Sequence, residues 1–269
     1  MARGDEIKSG DPLFRLLAPD LEVLLKRRGF RVFSKDPEEE LLFRTEQQKE
    51  RAYPMMKRYA FRIFLRDVIK HKQGFSVGDV ARYASERMTE HYIEFLSGLG
   101  IIEASESGYR LKEPVRSFGE TLVWFVAEVL KREFSIEAYR SVKFRGRKVG
   151  GDYDILGNLN SGICFIEVKS SPPRQVQDVE IRAFLQRVND LCPDLSIFLL
   201  DTHLRMKDKI VALFEDVMME LNSYRPEIVR LKKELFHVLD TNVYIINSKP
   251  GISNNIEEVL SHYYRRRCF

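Results

Sequence analysis

The sequence predicts an α/β protein: a mixed β-sheet flanked by helices, preceded by a mostly helical domain. Three observations carry this. After Pro114, short apolar strands alternate with amphipathic helical stretches, the pattern of helices packed on a sheet. Two of those strands, "DYDILGN" and "GICFIEVKSS", flank the turn "GNLNSG" and read as a hairpin. Before Pro114, apolar residues recur at helical spacing with one short hairpin at the end. Two domains are expected, residues 1–114 and 115–269.

In the first half, "DPLFRLLAPDLEVLLKRRGF" alternates Leu pairs with charges; Asp11-Pro12 can start a helix and Pro19 restart it. "SKDPEEE" is a polar break, and Glu46 to Lys70 is helical again. Gly74 closes that stretch, Ser76 caps the next helix, and Val77, Val80 and Tyr83 form its apolar stripe. In "TEHYIEFLSGLG", Tyr92, Phe95, Leu96 and Leu99 face inward, while Thr89, Glu90, His91 and Glu94 face outward. "IIEASESGYRLKE" is a hairpin turning at Gly108.

In the second half, "SFGETLVWFVAEVLKREF" is a helix apolar almost all round, hence buried. The strand "IEAYRSVKF" and the hairpin follow. "QVQDVEIRAFLQRVNDL" is amphipathic, with Val176, Val179, Phe184, Leu185 and Val188 on its apolar face. Then come the strand "LSIFLLDT", the helix "KDKIVALFEDVMMEL", the strand "NVYIIN" and the helix "NNIEEVLSHYYRRR".

The 269 residues are 44% hydrophobic and 31% charged, an ordinary globular profile. No apolar run reaches the ~18 residues of a membrane span, and the N-terminus shows no signal-peptide apolar region. Cys164, Cys192 and Cys268 are too scattered for a disulfide framework or a zinc knuckle, so a cytoplasmic protein is expected. The net charge of +4 permits a polyanionic partner without demanding one.

The hairpin that should be buried carries Asp152, Asp154, Glu167 and Lys169. Side chains alternate along a strand, so Asp152 and Asp154 share a face of the first strand, as Glu167 and Lys169 do on the second. Pairing the strands brings these groups within ~5–8 Å. Carboxylates so close repel unless a cation neutralises them. Mg²⁺ or Mn²⁺ suits an all-oxygen site, and Lys169 beside it can position or help deprotonate a water. Such a site hydrolyses phosphodiesters.

"YDIL…FIEVKSS", with the strand before it and the amphipathic helix after it, resembles the PD-(D/E)xK nuclease superfamily, the restriction-endonuclease-like fold. The local likeness is to archaeal Holliday junction resolvases and RecB-type nuclease domains, over roughly Val115 to Asp201. The resemblance implies Asp154 and Glu167 as metal ligands, the Val168 carbonyl as a third, and Lys169 as the catalytic lysine. It adds Glu120 from the first helix as a further catalytic residue. Tyr153 stands where the family often has Pro. From the residues alone, Asp152 competes with Asp154 as ligand. Glu120 competes with a capping-box role in "Ser117-Phe-Gly-Glu120", and Glu128 is its weaker substitute. Ser170 or Gln186 is a candidate substrate contact, Cys164 reads as a small buried apolar residue, and the tail "YYRRRC" as a solvated end.

"YIEFLSGLGIIEASESGYRL" resembles the third helix and wing of winged-helix domains, over roughly Met56 to Glu113. Winged helices often place the third helix in the DNA major groove. Here that helix presents an acidic face, which suits contact with a protein partner or a second copy equally well. The expected function is a Mg²⁺- or Mn²⁺-dependent deoxyribonuclease acting on DNA, branched or damaged forms included. The alternative is a non-catalytic nucleic-acid-binding or assembly protein on the same fold.

Overall fold

The computed structural model describes residues 19–106, 108–146, 149–222 and 225–266. The helix start read at Asp11-Pro12, the end of the tail and Cys268 lie outside them.

Asp20 opens α1 (Leu21–Arg27) by accepting the Val23 N–H on its Oδ1 at 2.8 Å. A short strand, β1 (Val32–Ser34), follows. The stretch from Glu46 to Lys70 forms two helices, α2 (Glu46–Met56) and α3 (Tyr59–Lys70). The break has a local cause: Arg58 is extended, and the Arg62 guanidinium takes the carbonyls of Met56 and Lys57 at 2.6 and 3.2 Å. Those are helix-end carbonyls that would otherwise lack a partner. Next come α4 (Val77–Val80), opened by a Ser76/Asp79 capping box, and α5 (Glu86–Gly98). The hairpin β2 (Ile102–Ser105) and β3 (Gly108–Leu111) ends this half, and Phe75 bridges to Tyr109 beside it. Three expected side-chain directions fail, one of them at Val179, which is 62% exposed in the first turn of the helix Asp178–Leu191. Thr89 is buried, its hydroxyl donating to the Ser85 carbonyl, and Tyr83 is exposed because α4 stops before reaching it.

The second half is a mixed α/β fold built on one eight-stranded sheet. Its elements are α6 (Gly119–Phe134), β4 (Ala138–Phe144), β5 (Tyr153–Leu159), β6 (Gly162–Lys169), α7 (Asp178–Leu191), β7 (Leu195–Leu200), α8 (Ala212–Asn222), β8 (Ile228–Lys232), β9 (Leu235–Val238), β10 (Val243–Asn247) and α9 (Ile252–Arg266). The strand order is β1-β4-β5-β6-β7-β10-β9-β8. The three central strands β6, β7 and β10 run parallel, and the two wings are antiparallel. A parallel centre must be covered on both faces. On one face Ile155, Ile166 and Ile197 pack with Leu122 and Val126 of α6 and Ile256 of α9. On the other, Phe165 and Phe198 pack with Phe184 of α7, Phe214 of α8 and Leu21 and Leu25 of α1. Each such side chain contributes about 1.5–3 kcal/mol on burial.

The structure redraws two expectations. β8 and β9 form a hairpin that the charged stretch "EIVRLKKELFHVL" did not announce. Charges are what edge strands carry to resist further pairing, and they hide the alternation. The division at 114 also cuts the sheet unit, because β1 pairs with β4 and α1 packs under β5 and β6. The helical half shares a core with the sheet: Leu65, Tyr92 and Leu96 continue through Phe118 and Leu122 to Ile166.

Candidate active site

The register Leu156↔Phe165, Ile155↔Ile166, continued by one residue, sets Asp154 across from Glu167. Both lie near the carboxyl ends of the parallel strands β6 and β7, where open α/β sheets bind ligands. Strict alternation breaks here. Tyr139 and Val142 lie on the α7 face although three apart, as do Tyr153 and Leu156. The break falls at Ser141, whose φ is +49°, in register with Asp154. Freed from the pleat, Asp154 Oδ2 accepts the Val168 N–H at 2.7 Å.

Glu167 is 2% exposed, and both its oxygens are held by cations. Oε1 accepts from Lys169 Nζ at 2.9 Å, and Oε2 from Arg187 Nη1 at 3.0 Å. Lys169 Nζ also lies 3.6 Å from Glu180 Oε1 on α7. Burial and the facing Glu167 hold Asp154 well above the usual carboxylate range; the Val168 N–H, Lys169 and Arg187 pull the other way without prevailing. Burial alone would lower Lys169, but Glu167, with Asp154 and Glu180, keeps its ammonium above the ordinary lysine range. Lys169 is thus held as a cation between Glu167 and Glu180.

Glu120, in the first turn of α6, does not form a capping box. That helix end has no side-chain cap; the Ser117 hydroxyl accepts only the Gly119 N–H at 3.3 Å. Glu120 Oε2 instead accepts the Ser141 hydroxyl at 2.6 Å, which ties it to the strand beside Asp154. Glu128 is drawn away by Lys131 and Arg132. Asp152 pairs with Lys143 at 3.3 Å and is 40% exposed, so it is Asp154 that sits against Glu167. Gln186 is exposed on α7, and Ser170 lines a neighbouring groove. Cys164 is buried with its thiol pushed up to about 12 by burial, as befits a core residue.

Arg187 and Glu180 were not anticipated. Arg187 follows Phe184 by one helical turn, so a cation lies beside the apolar stripe of α7, which was the available signal. Among the described residues, no three His, Cys, Asp or Glu side chains gather as a metal site. The hard-oxygen pair Asp154 and Glu167 is nonetheless compatible with Mg²⁺, which takes one or two carboxylates and completes its shell with water and phosphate. A carboxyl raised by burial and a facing carboxylate is one that a cation would favour ionising.

No family model matches the chain, and no curated protein matches it. Solved structures do. Protein VC1899 from Vibrio cholerae is 14% identical, with a TM-score of 0.47, over 91% of this chain and 60% of that one. Can2 from Sulfobacillus thermosulfidooxidans, in complex with cyclic tetra-adenylate, is 11% identical, with a TM-score of 0.51, over 90% of this chain and 59% of that one. The second likeness is one of fold. The chain spans about 60% of the length of either protein. No helix among the described residues is long and apolar enough to cross a membrane.

Proposed function

We propose that the chain is a Mg²⁺- or Mn²⁺-dependent nuclease of the PD-(D/E)xK type that hydrolyses DNA phosphodiester bonds. The observation that carries this is Asp154 set across from a buried Glu167, with Lys169 two residues further along the same strand. Asp154 and Glu167, with the Val168 carbonyl, would hold the ion, which when bound supplies positive charge to the phosphate and its departing oxygen. Lys169 then holds a compact charge beside the attacked phosphate. Arg187 and Glu180 fix Glu167 and Lys169 in place, and Glu120 steadies the Ser141 bend. The winged-helix-like segment from α3 to β3 would bind DNA or dock a partner protein.

The test is incubation of supercoiled, linear, single-stranded and branched DNA with Mg²⁺, Mn²⁺ or EDTA. Metal-dependent cutting that Asp154→Ala abolishes is the expected result; no cutting of any substrate overturns the proposal. In calorimetry, Asp154→Ala should lose Mn²⁺ binding while Asp152→Ala keeps it, because only Asp154 adjoins Glu167. Folding should survive, since removing one of two crowded carboxylates relieves repulsion. The opposite pattern would move the ligand to Asp152.

A second reading has one observation in its favour. Both oxygens of Glu167 are already neutralised by Lys169 and Arg187, as a nucleic-acid-binding protein without catalysis would need. DNA binding without cleavage under any metal is its signature.

A further inference from the structure

From the residues that line one groove, we infer that DNA reaches the site along the seam between α3, the start of α6 and the loop after β6, and not along α5. This rests on the nuclease reading for its substrate. The groove encloses about 460 Å³ and is lined by Arg66, Lys70, Lys72 and Arg116, together with Ser170 and Ser171 and no carboxylate. The two serines directly follow Lys169, so the groove opens beside the candidate active site. Arg66, Lys70 and Lys72 come from α3 and the turn after it, and Arg116 from the segment that leads into α6, so the row crosses from one segment to another instead of lying on a single helix face. A row of cations with hydroxyls between them matches a phosphodiester backbone, the part of DNA that proteins contact for affinity.

The partners of these cations show which are free for phosphate. Arg66 gives one nitrogen, Nη2, to Asp201 Oδ2 at 2.6 Å and to the Asp201 carbonyl at 2.8 Å, yet remains 20% exposed. Lys72 donates to the Val115 carbonyl at 3.3 Å. Arg116 uses its backbone N–H, not its side chain, for Glu40. Lys70 and Arg116 are exposed and enter no ion pair among the described residues. The wall is also fixed. Asp201 binds α3 through its carboxylate, and its N–H donates to the Lys169 carbonyl at 2.8 Å. By contrast, α5 exposes Glu90, His91 and Glu94 with one cation, Arg87, in its first turn, a face poor in charge that phosphate could use.

The test compares two double charge reversals in the full chain, Lys70→Glu/Arg116→Glu in the groove and Arg82→Glu/Arg87→Glu at the α5 end. Anisotropy with labelled duplex and single-stranded DNA in EDTA, over a salt series, reads binding apart from cleavage. The groove pair should raise Kd by roughly 10-fold or more at low salt and lower the salt slope by about two, one per lost phosphate contact. The α5 pair should bind as wild type. Equal losses in both pairs, a larger loss in the α5 pair, or no binding by wild type overturns the groove. An RNA of the same sequence bound more tightly than DNA also overturns it. Groove-dependent binding without cleavage in Mg²⁺ or Mn²⁺ overturns the nuclease reading alone, and unchanged kcat/KM in the groove pair overturns the groove alone.

Discussion

Asp201→Ala should lower stability by about 3–5 kcal/mol, the cost of leaving a buried partner charge uncompensated. Asp201 is 0% exposed and Arg62 is 1% exposed. The Arg62 guanidinium donates to Asp201 from Nε at 3.0 and 3.1 Å and from Nη2 at 2.8 Å. Without Asp201, Arg62 keeps the carbonyls of Met56 and Lys57 and the rings of Tyr59 and Phe125 but has lost its carboxylate. The same pair predicts a pH dependence. Burial would raise the Asp201 carboxyl, but Arg62 and Arg66 outweigh it and hold the group below the ordinary aspartate range. A depressed folded pKa means that the unfolded chain binds more protons as the medium is acidified. The contribution is thus complete above the ordinary aspartate value, about 4, and is lost as pH falls through the folded one. Urea unfolding at a series of pH values should show this loss in wild type and not in Asp201→Ala. A variant cost below about 1 kcal/mol, typical of solvent-screened pairs, would mean that α3 is not anchored here.

On the proposed nuclease reading, Lys169→Ala should slow single-turnover cleavage by ~10²–10⁴-fold, the usual worth of one positioned electrostatic or acid–base group. DNA binding should shift little, with the salt slope falling by about one at most. Lys169→Arg should not restore the rate. The ammonium fits between Glu167 Oε1 at 2.9 Å and Glu180 Oε1 at 3.6 Å, and a planar fork does not reproduce a compact point charge. Wild-type rates in both variants would reduce Lys169 to a structural lysine and remove the firmest support for catalysis.

What was legible in the sequence follows the range of the forces involved. The mixed sheet and its helices were legible because period-two and helical apolar patterns are local, as in "GICFIEVK" and "FLQRV". The hairpin turn brought the carboxylates of β5 beside Glu167, but the choice of Asp154 over Asp152 came from the family resemblance, and the register that sets Asp154 opposite Glu167 emerges only in the structure. Other features depend on distant partners. The Leu21 N–H finds Glu137 Oε2 at 3.0 Å, 116 residues away, and nothing near Leu21 signals that. Nothing near Arg62 and Arg66 marks their partner, because Asp201 lies 139 and 135 residues on. β8 and β9 were missed because Arg230, Lys232 and Lys233 mask their alternation, and their turn at Lys233 takes a φ of +49° without glycine.

The unbroken core from α5 through Phe118 to the sheet bears on modularity. A piece that can be exchanged between proteins presents a polar skin at its boundary. Here, removal of the helical half would bare Phe118, Leu122, Trp124 and Phe125, now at most 4% exposed. The two halves should therefore melt together, in one calorimetric transition whose van't Hoff and measured enthalpies agree. Grafting the sheet unit onto another protein would require carrying α1 to α5 with it.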